Sequence, residues 1–200
     1  MGSGRRVCGD ADLPFHGGGL RGCRRGGGYG ARGDDACSVL CLSGVPHCWN
    51  STNNARSEEL AAKATFKDPW KRGQRCIIPA ASFDEPNWES GKNQWWQFRR
   101  ADGDPWGLAG LWSTWTDKAT GEVHESYTML TLNADHHPLM NRMHKPDPKL
   151  PPDQQDKRSV IAIERGDVDQ WLAGTMDEAR QLMRLTPVEV FDAGPIMAPG

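Results

Sequence analysis

The sequence has no uninterrupted apolar stretch of roughly 18 or more residues, and residues 1–15 contain no apolar segment of the kind that a secretory signal requires. A strong charge is also absent, because 24 Lys and Arg face 26 Asp and Glu, for a net charge of -2. Any contact with nucleic acid must then come from a local cluster of basic residues. We therefore expect a cytoplasmic protein without membrane contact, in which the six cysteines are reduced.

Residues 1–48 differ in composition from the rest of the chain. They hold 13 of the 23 Gly and five of the six Cys, but no Lys, Glu or Trp. The segment 17–28 has neither helical nor strand periodicity, and too few large apolar side chains to offset the entropy of ordering it. We expect a disordered Gly/Arg/Cys-rich leader over residues 1–48 and one domain over residues 49–200. A GC-rich gene read out of frame gives a similar composition, so a sequence artefact stays open as an alternative.

Two patterns typical of binding sites fail in this leader. Soft zinc ligands are present, but the adjacent pair His47-Cys48 leaves little loop for a tetrahedral site with Cys37 and Cys41. The glycines are neither preceded by a strand nor followed by the Lys-Ser/Thr pair of a phosphate-binding loop. We expect neither a metal nor a cofactor.

The strongest secondary-structure signals lie between residues 94 and 133. Three strands are predicted over Gln94–Arg100, 106–115 and 125–133, with turns at Asp102-Gly103 and Thr120-Gly121 as in an antiparallel meander. The middle strand is apolar on both faces, so helices or a second sheet must cover it. The predicted class is α+β: a mainly antiparallel β-sheet with a barrel-like core and flanking short helices, in a single domain.

Shorter elements are predicted on both sides of this region. A helix over 58–66 and a buried strand over 75–81 precede it. A strand, two helices and a last strand follow it, over 159–163, 167–172, 175–184 and 188–191, and the second of these helices starts with a Thr-x-x-Glu capping box. Glu85 precedes Pro86, which disfavours helical backbone, so its carboxylate is expected on an extended or turn segment.

Three sequence blocks carry a resemblance to a known family. They are Asn-Ala-Arg-Ser-Glu at 54–58, Arg-Cys-Ile-Ile-Pro-Ala at 75–80 and Phe-Asp-Glu at 83–85. In this order and separation they resemble the central blocks of the SOS response-associated peptidase family, also called abasic site processing proteins, over residues 54–195. The family's earlier Trp-Gly-Leu-Ile-Pro and Asn-x-Ala-Pro blocks have no recognisable counterpart, so we expect the domain at 49–200 to be incomplete at its N-terminal end.

The resemblance implies a function for the chain. Members of the family act on single-stranded DNA and join the aldehyde of an abasic site covalently to an N-terminal cysteine. It therefore implies DNA damage-linked activity on abasic single-stranded DNA by a monomer in the cytoplasm, which associates with the nucleoid when DNA is damaged. Two alternatives stay open, a thiol autopeptidase that uses the same cysteine and a non-catalytic remnant that binds single-stranded DNA.

The resemblance also assigns two catalytic residues. Glu85 matches the general acid/base of the family's Phe-Tyr-Glu-Trp block, although both of its neighbours differ here, and Asn54 matches an active-site asparagine whose amide orients the reacting groups. From residue types alone, Glu85 would be a solvated turn acid and Asn54 a capping or turn residue.

Four further positions concern the phosphate contacts and a histidine. Arg56 and Arg142 match phosphate-binding arginines, which would otherwise be interpreted as surface ion-pair residues. The family's active-site histidine is replaced by Met140, which cannot transfer a proton. We expect His144 to take that role; the alternative is a polar loop residue, like His136 and His137.

The nucleophile is predicted near the start of the chain. Removal of Met1 would expose Gly2, which could form only a reversible imine. Val7-Cys8-Gly9 resembles the family's opening Met-Cys-Gly, and a GTG valine codon can serve as a bacterial start. We therefore expect the active species to begin at Cys8, because a thiazolidine needs an α-amine and a thiol on one residue.

Overall fold

The computed structural model describes the backbone of residues 15–16 and all of residues 53–197. Most of the segment 1–48, including Cys8 and the four residues considered as zinc ligands, lies outside the described residues. In chain order, the elements are β1 (Phe15–His16), β2 (Asn54–Arg56), α1 (Ala64–Lys71), β3 (Arg75–Ala80), β4 (Phe83–Asn87), β5 (Gln94–Arg100), β6 (Trp106–Thr116), β7 (Val123–Asn133), β8 (Arg158–Val160), α2 (Val168–Ala173), α3 (Met176–Gln181) and β9 (Phe191–Pro195).

These strands form two sheets. A five-stranded sheet has the order β2-β7-β6-β3, with β8 paired to β7, and a four-stranded sheet has the order β1-β4-β5-β9. The pairs β2–β7 and β1–β4 are parallel and the others are antiparallel. The predicted α+β class is confirmed, but the described strands make two open sheets and do not close into a barrel.

The two faces of the five-stranded sheet carry separate cores. The helix-side core includes Leu111 of β6 and packs under the helices with Trp70 and Trp171. The inter-sheet core includes Leu108 of β6 and Phe83 and Phe98 of the four-stranded sheet. Because side chains alternate along a strand, β6 buries both of its faces, as its apolar pattern predicts.

The predicted three-strand meander is wrong at its first turn. The hairpin of β6 and β7 forms, but β5 pairs with β4 and β9 in the other sheet. At residues 101–105 the chain therefore crosses between sheets. Trp106 begins the next strand between the two sheets, where its Nε1 donates a hydrogen bond to the Phe98 carbonyl at 3.2 Å. Local turn residues are the same for a hairpin and for a crossing, and burial of the apolar faces of β5 and β6 against each other selects the crossing.

The ends of several predicted elements also shift, and the strand expected over 159–163 ends at Val160. The helix expected over 58–66 is a 3-10 turn at Ser57–Glu59 followed by α1, because burial of Phe66 and Trp70, four residues apart, sets the helix. The capping box of Thr175 and Glu178 forms as predicted, but α3 ends at Gln181 instead of 184. The last strand starts where the predicted one ends, because Phe191 to Pro195 pair with β5.

Candidate functional site

Glu85 lies on β4, on the face turned toward the inter-sheet core. It stands opposite Trp96 of β5, between the buried pair Phe83–Phe98 and the pair Asn87–Gln94, which is next to the loop 88–93 that joins the two strands. The backbone is extended, as the following proline predicts, and only 6% of Glu85 is exposed. Residue alternation and cross-strand pairing thus place a carboxyl group beside an indole ring where the core meets solvent.

His144 meets Glu85 from a loop that follows the 3-10 turn Met140–Arg142. Its Nε2 lies 3.1 Å from Oε2 of Glu85, at ion-pair distance, but off the direction of an aligned hydrogen bond. The backbone of His144 is left-handed, with φ of 59°. Its N–H donates to the Pro86 carbonyl at 2.6 Å, which fixes the loop to the edge of β4. The structure thus brings together two of the residues that the sequence predicted.

Lys157 holds this loop from behind. Its Nζ donates hydrogen bonds of 2.6 Å to the carbonyls of both Met143 and His144. Only 7% of Lys157 is exposed, and burial lowers the pKa of its ammonium group. A buried cation that ties down two consecutive carbonyls stabilises the unusual backbone of His144.

The environment of Glu85 favours its protonated form. Burial raises the pKa of the Glu85 carboxyl, and the charge of Asp84 acts in the same direction, while the contact with His144 opposes both. A carboxyl group with a raised pKa holds a proton nearer neutrality and can exchange it with a reacting hydroxyl or imine. His144 is 37% exposed and so connects this buried acid with solvent.

Arg142 lies at the mouth of the same site. Its guanidinium carbon is 4.9 Å from the centroid of the Trp96 ring, and its Nε and Nη2 each donate a 2.8 Å hydrogen bond to Glu89. Asn87 Nδ2 donates a third hydrogen bond to Glu89, at 3.1 Å. These contacts hold the pKa of Glu89 at about 2. The Trp96 ring and the Glu89 carboxylate thus fix the orientation of the Arg142 guanidinium.

Asn54 and Arg56 lie on β2, at the edge of the five-stranded sheet. Their register partners on β7 are Met129 and Thr131, and Met129 packs in the inter-sheet core. Both side chains therefore project toward the side of the second sheet. Arg56 Nη2 lies 2.5 Å from Asp156 Oδ2, next in sequence to Lys157. Asn54 is exposed, and no hydrogen bond or ion pair among the described residues links it to Glu85.

Two positions near the expected histidine are structural. Met140 is fully buried in the inter-sheet core. His137 is 5% exposed, its Nε2 lies 2.8 Å from the Thr186 carbonyl, and its Nδ1 accepts the backbone N–H of Met140 at 3.0 Å. His137 thus lies in a loop, as predicted, but it is buried and both of its ring nitrogens bind backbone groups. His144 differs, since its ring faces Glu85.

Sequence reasoning missed several residues of this site, namely Asn87, Glu89, Trp96 and Lys157. One signal was available: an antiparallel pairing of 83–87 with 94–98 would have set Trp96 opposite Glu85. Lys157 carried no such signal, because its partners are backbone carbonyls far along the chain.

Two features are absent from residues 53–197. No three His, Cys, Asp or Glu side chains in this range come together as metal ligands. The helices there are all too short or too polar to cross a membrane.

Comparison with known proteins identifies the family. The model of the SOS response associated peptidase family matches residues 42–198, and the chain belongs to this family. The match begins before Asn54 and so includes the last residues of the segment that composition sets apart. Membership links the chain to the DNA-damage response and implies an interaction with DNA.

Solved structures show the same fold. A protein from Bordetella bronchiseptica is 37% identical, with a TM-score of 0.68, over 75% of this chain and 67% of its own. A protein from Bacteroides thetaiotaomicron is 24% identical with a TM-score of 0.61, over 72% of this chain and 58% of its own. A phage-related protein from Bordetella bronchiseptica is 19% identical with a TM-score of 0.51, over 72% of this chain and 63% of its own. The chain thus spans less than two thirds of the last two.

Proposed function

We propose that this protein processes abasic sites in single-stranded DNA by joining the open-chain sugar aldehyde to an N-terminal Cys8. The observation that carries the proposal is the Glu85–His144 pair, a buried acid 3.1 Å from a partly exposed imidazole. Family membership supports the substrate class. Such a pair can deliver and recover protons during the condensation of an amine with an aldehyde.

The reaction has two steps. The α-amine of Cys8 attacks the aldehyde carbon, and protonated Glu85 donates a proton to the resulting hydroxyl, which leaves as water and gives a Schiff base. The thiol sulfur then adds to the carbon of this imine, whose nitrogen still carries its proton; the carboxylate takes the thiol proton, and ring closure leaves a neutral ring N–H and a protonated Glu85. One aldehyde and one cysteine give one thiazolidine and one water. His144 keeps Glu85 in proton exchange with solvent.

The remaining predicted residues bind the DNA strand in this proposal. Arg142 and Arg56 contact phosphates through their guanidinium groups. Asn54, exposed on the strand that carries Arg56, orients the sugar or the attacking amine. The side chains of Asn54 and Arg56 are exposed and that of Arg142 is half-buried, so single-stranded DNA can reach all three.

The test is a denaturing gel with an abasic oligonucleotide. A protein that starts Met-Cys8-Gly9, and loses its initiator Met, should form a heat-stable adduct. Its Cys8→Ser form should yield no heat-stable adduct, because an imine without a thiol hydrolyses. A folded Cys8-start protein that leaves abasic DNA unmodified would contradict the proposal and favour a non-catalytic single-strand-binding protein.

A second candidate function comes from the family's description as a peptidase. A thiol autopeptidase would use Cys8 with Asn54 and Glu85 to cut the bond after Val7. Intact mass of the purified full-length chain tests this activity. Loss of residues 1–7 in the parent chain, and its absence in Glu85→Gln, would favour autoproteolysis; an uncut chain in both would exclude it.

A further inference from the structure

The two parallel N–H donors of the Arg142 guanidinium, here called the Arg142 fork, bind an anionic side chain of the protein, the Glu89 carboxylate. Its Nε and Nη2 donate to the two oxygens of Glu89, both at 2.8 Å. Asn87 holds Glu89 by two hydrogen bonds, since its Nδ2 donates to Oε2 of the carboxylate and its Oδ1 accepts the backbone N–H of Glu89. The result is a built anion-binding site with a carboxylate in it.

This site lies directly beside the proposed reaction centre. Arg142 stacks over the ring of Trp96, at 4.9 Å from the centroid, and Trp96 is the cross-strand partner of Glu85. The carbonyl of Arg142 accepts from Asn87 at 3.4 Å, so the arginine backbone is also tied to β4. An anion bound at this fork is therefore held one side chain away from Glu85.

The same fork fits a phosphodiester. Two parallel N–H donors of a guanidinium match the oxygen pair of a carboxylate and that of a phosphate alike. The stacked indole adds an aromatic surface of the kind on which single-stranded bases stack. The donors that face Glu89 thus suit one nucleotide of a single strand.

The Glu89–Arg142 pair is open to exchange. The two side chains are 49% and 38% exposed, so water and dissolved anions can reach both of them. Arg100 provides a contrast within the chain, because its side chain is only 12% exposed where it pairs with Glu164 and Asp102. The low pKa of Glu89, about 2, keeps its charge at physiological pH, so another anion must displace it.

We propose that Glu89 is an internal substitute for a DNA phosphate, which occupies the Arg142 fork until a single strand displaces it. The inference rests on the proposed function and adds that Glu89 and a DNA phosphate compete for Arg142. In the protein without DNA, Glu89 holds the Arg142 guanidinium in position. When DNA binds, a phosphate replaces the Glu89 carboxylate, and this competition lowers the affinity for any single strand. Strands that place a phosphate at this fork overcome that competition, and isolated weak anions do not.

The test compares Glu89→Gln with Glu164→Gln. Both changes remove one negative charge from a bidentate pair with an arginine, but only the first is near Glu85. Binding of an intact, fluorescein-labelled oligothymidylate is measured by anisotropy at low and moderate salt. Glu89→Gln should tighten binding by about two- to tenfold more than Glu164→Gln, as expected when an exposed pair no longer competes.

A double variant separates competition from general charge. In an Arg142→Ala background, Glu89→Gln should change affinity no more than Glu164→Gln does, because there is no fork to release. If the amide of Glu89→Gln still accepts a hydrogen bond from Arg142, Glu89→Ala removes that contact completely. Unchanged or weaker binding by both Glu89 variants, with melting temperatures near that of the parent, would overturn the proposal, as would equal gains with and without Arg142.

This readout is independent of the covalent chemistry. Tighter binding of intact DNA by Glu89→Gln without any abasic adduct from the Cys8-start protein would keep the competition and reject the proposed function. An abasic adduct together with no Glu89 effect would do the reverse. Failure of every form to bind the oligothymidylate would reject both the fork as a phosphate site and the role of Glu89.

Discussion

On the helix-covered face of the five-stranded sheet, Arg75 is 5% exposed and donates to the carbonyls of Trp171 and Gly174. It lies between two indoles, at 5.9 Å from the ring centroid of Trp70 and 5.8 Å from that of Trp171. Trp171 in turn donates its Nε1 to the Cys76 carbonyl at 2.9 Å. These contacts join α1, α2 and the turn after α2 to β3, so this arginine is structural.

On the face toward the second sheet, the polar residues are arranged differently. Glu85 is as buried as Arg75, but it meets an imidazole that is 37% exposed. Arg142 also stacks on an indole, yet its partner is the exposed carboxylate of Glu89. A buried polar group bound to backbone carbonyls stabilises the fold, whereas one that faces an exposed titratable group is available for chemistry or binding. The two faces can be separated experimentally.

The largest expected effect is on the chemistry of the inter-sheet side. Glu85→Gln should slow adduct formation between the Cys8-start protein and abasic DNA by about 10² to 10⁴-fold, because the amide cannot donate or recover a proton. Single-turnover kinetics on denaturing gels measure the rate. An unaltered rate in a variant of normal thermal stability would make Glu85 a structural residue like Arg75.

The next effect is on the stability of the helix side. Arg75→Ala should cost about 2–4 kcal/mol of unfolding free energy, since it leaves two carbonyls and two indoles without their partner. Arg142→Ala should cost less than about 1 kcal/mol, as usual for an exposed pair. Urea denaturation of both variants measures the contrast. Equal losses would remove the distinction between the two arginines.

A pH series sharpens the contrast further. Burial raises the pKa of Glu85 in the folded protein, so the folded state holds the proton more tightly than the unfolded one. The stability from this group is therefore fully present below the unfolded pKa of about 4.3, and is lost as pH rises through the folded pKa. The parent should lose unfolding free energy relative to Glu85→Gln between pH 4 and the folded pKa. A difference that stays constant with pH would show that the carboxyl does not titrate differently on folding.

The smallest effect concerns salt. Arg142→Ala and Arg56→Ala should each weaken binding of all single strands alike and lower the slope of log K against log salt by about 0.7, the value for one phosphate. Arg75→Ala, where it stays folded, should leave the slope unchanged. Titrations at several salt concentrations test this, and slopes equal to the parent in both exposed-arginine variants would remove them from the DNA path.

Local sequence determined much of this protein. The alternation along β6, the turn at Thr120-Gly121, the capping box at Thr175 and the extended backbone at Glu85 follow from the conformational preferences of neighbouring residues. The ordered blocks at 54–58, 75–80 and 83–85 also indicated the family that the comparison confirms.

Tertiary structure alone decided how strands and polar groups combine. Whether β5 joins β6 or β4 depends on which apolar faces meet, and the turn at Asp102-Gly103 allows both. Tertiary contacts also separate the two histidines, which the sequence places only seven residues apart. His137 binds the Thr186 carbonyl, whereas His144 faces Glu85. These partners lie dozens of residues apart in sequence, and local preferences carry no information about which distant groups share a buried space.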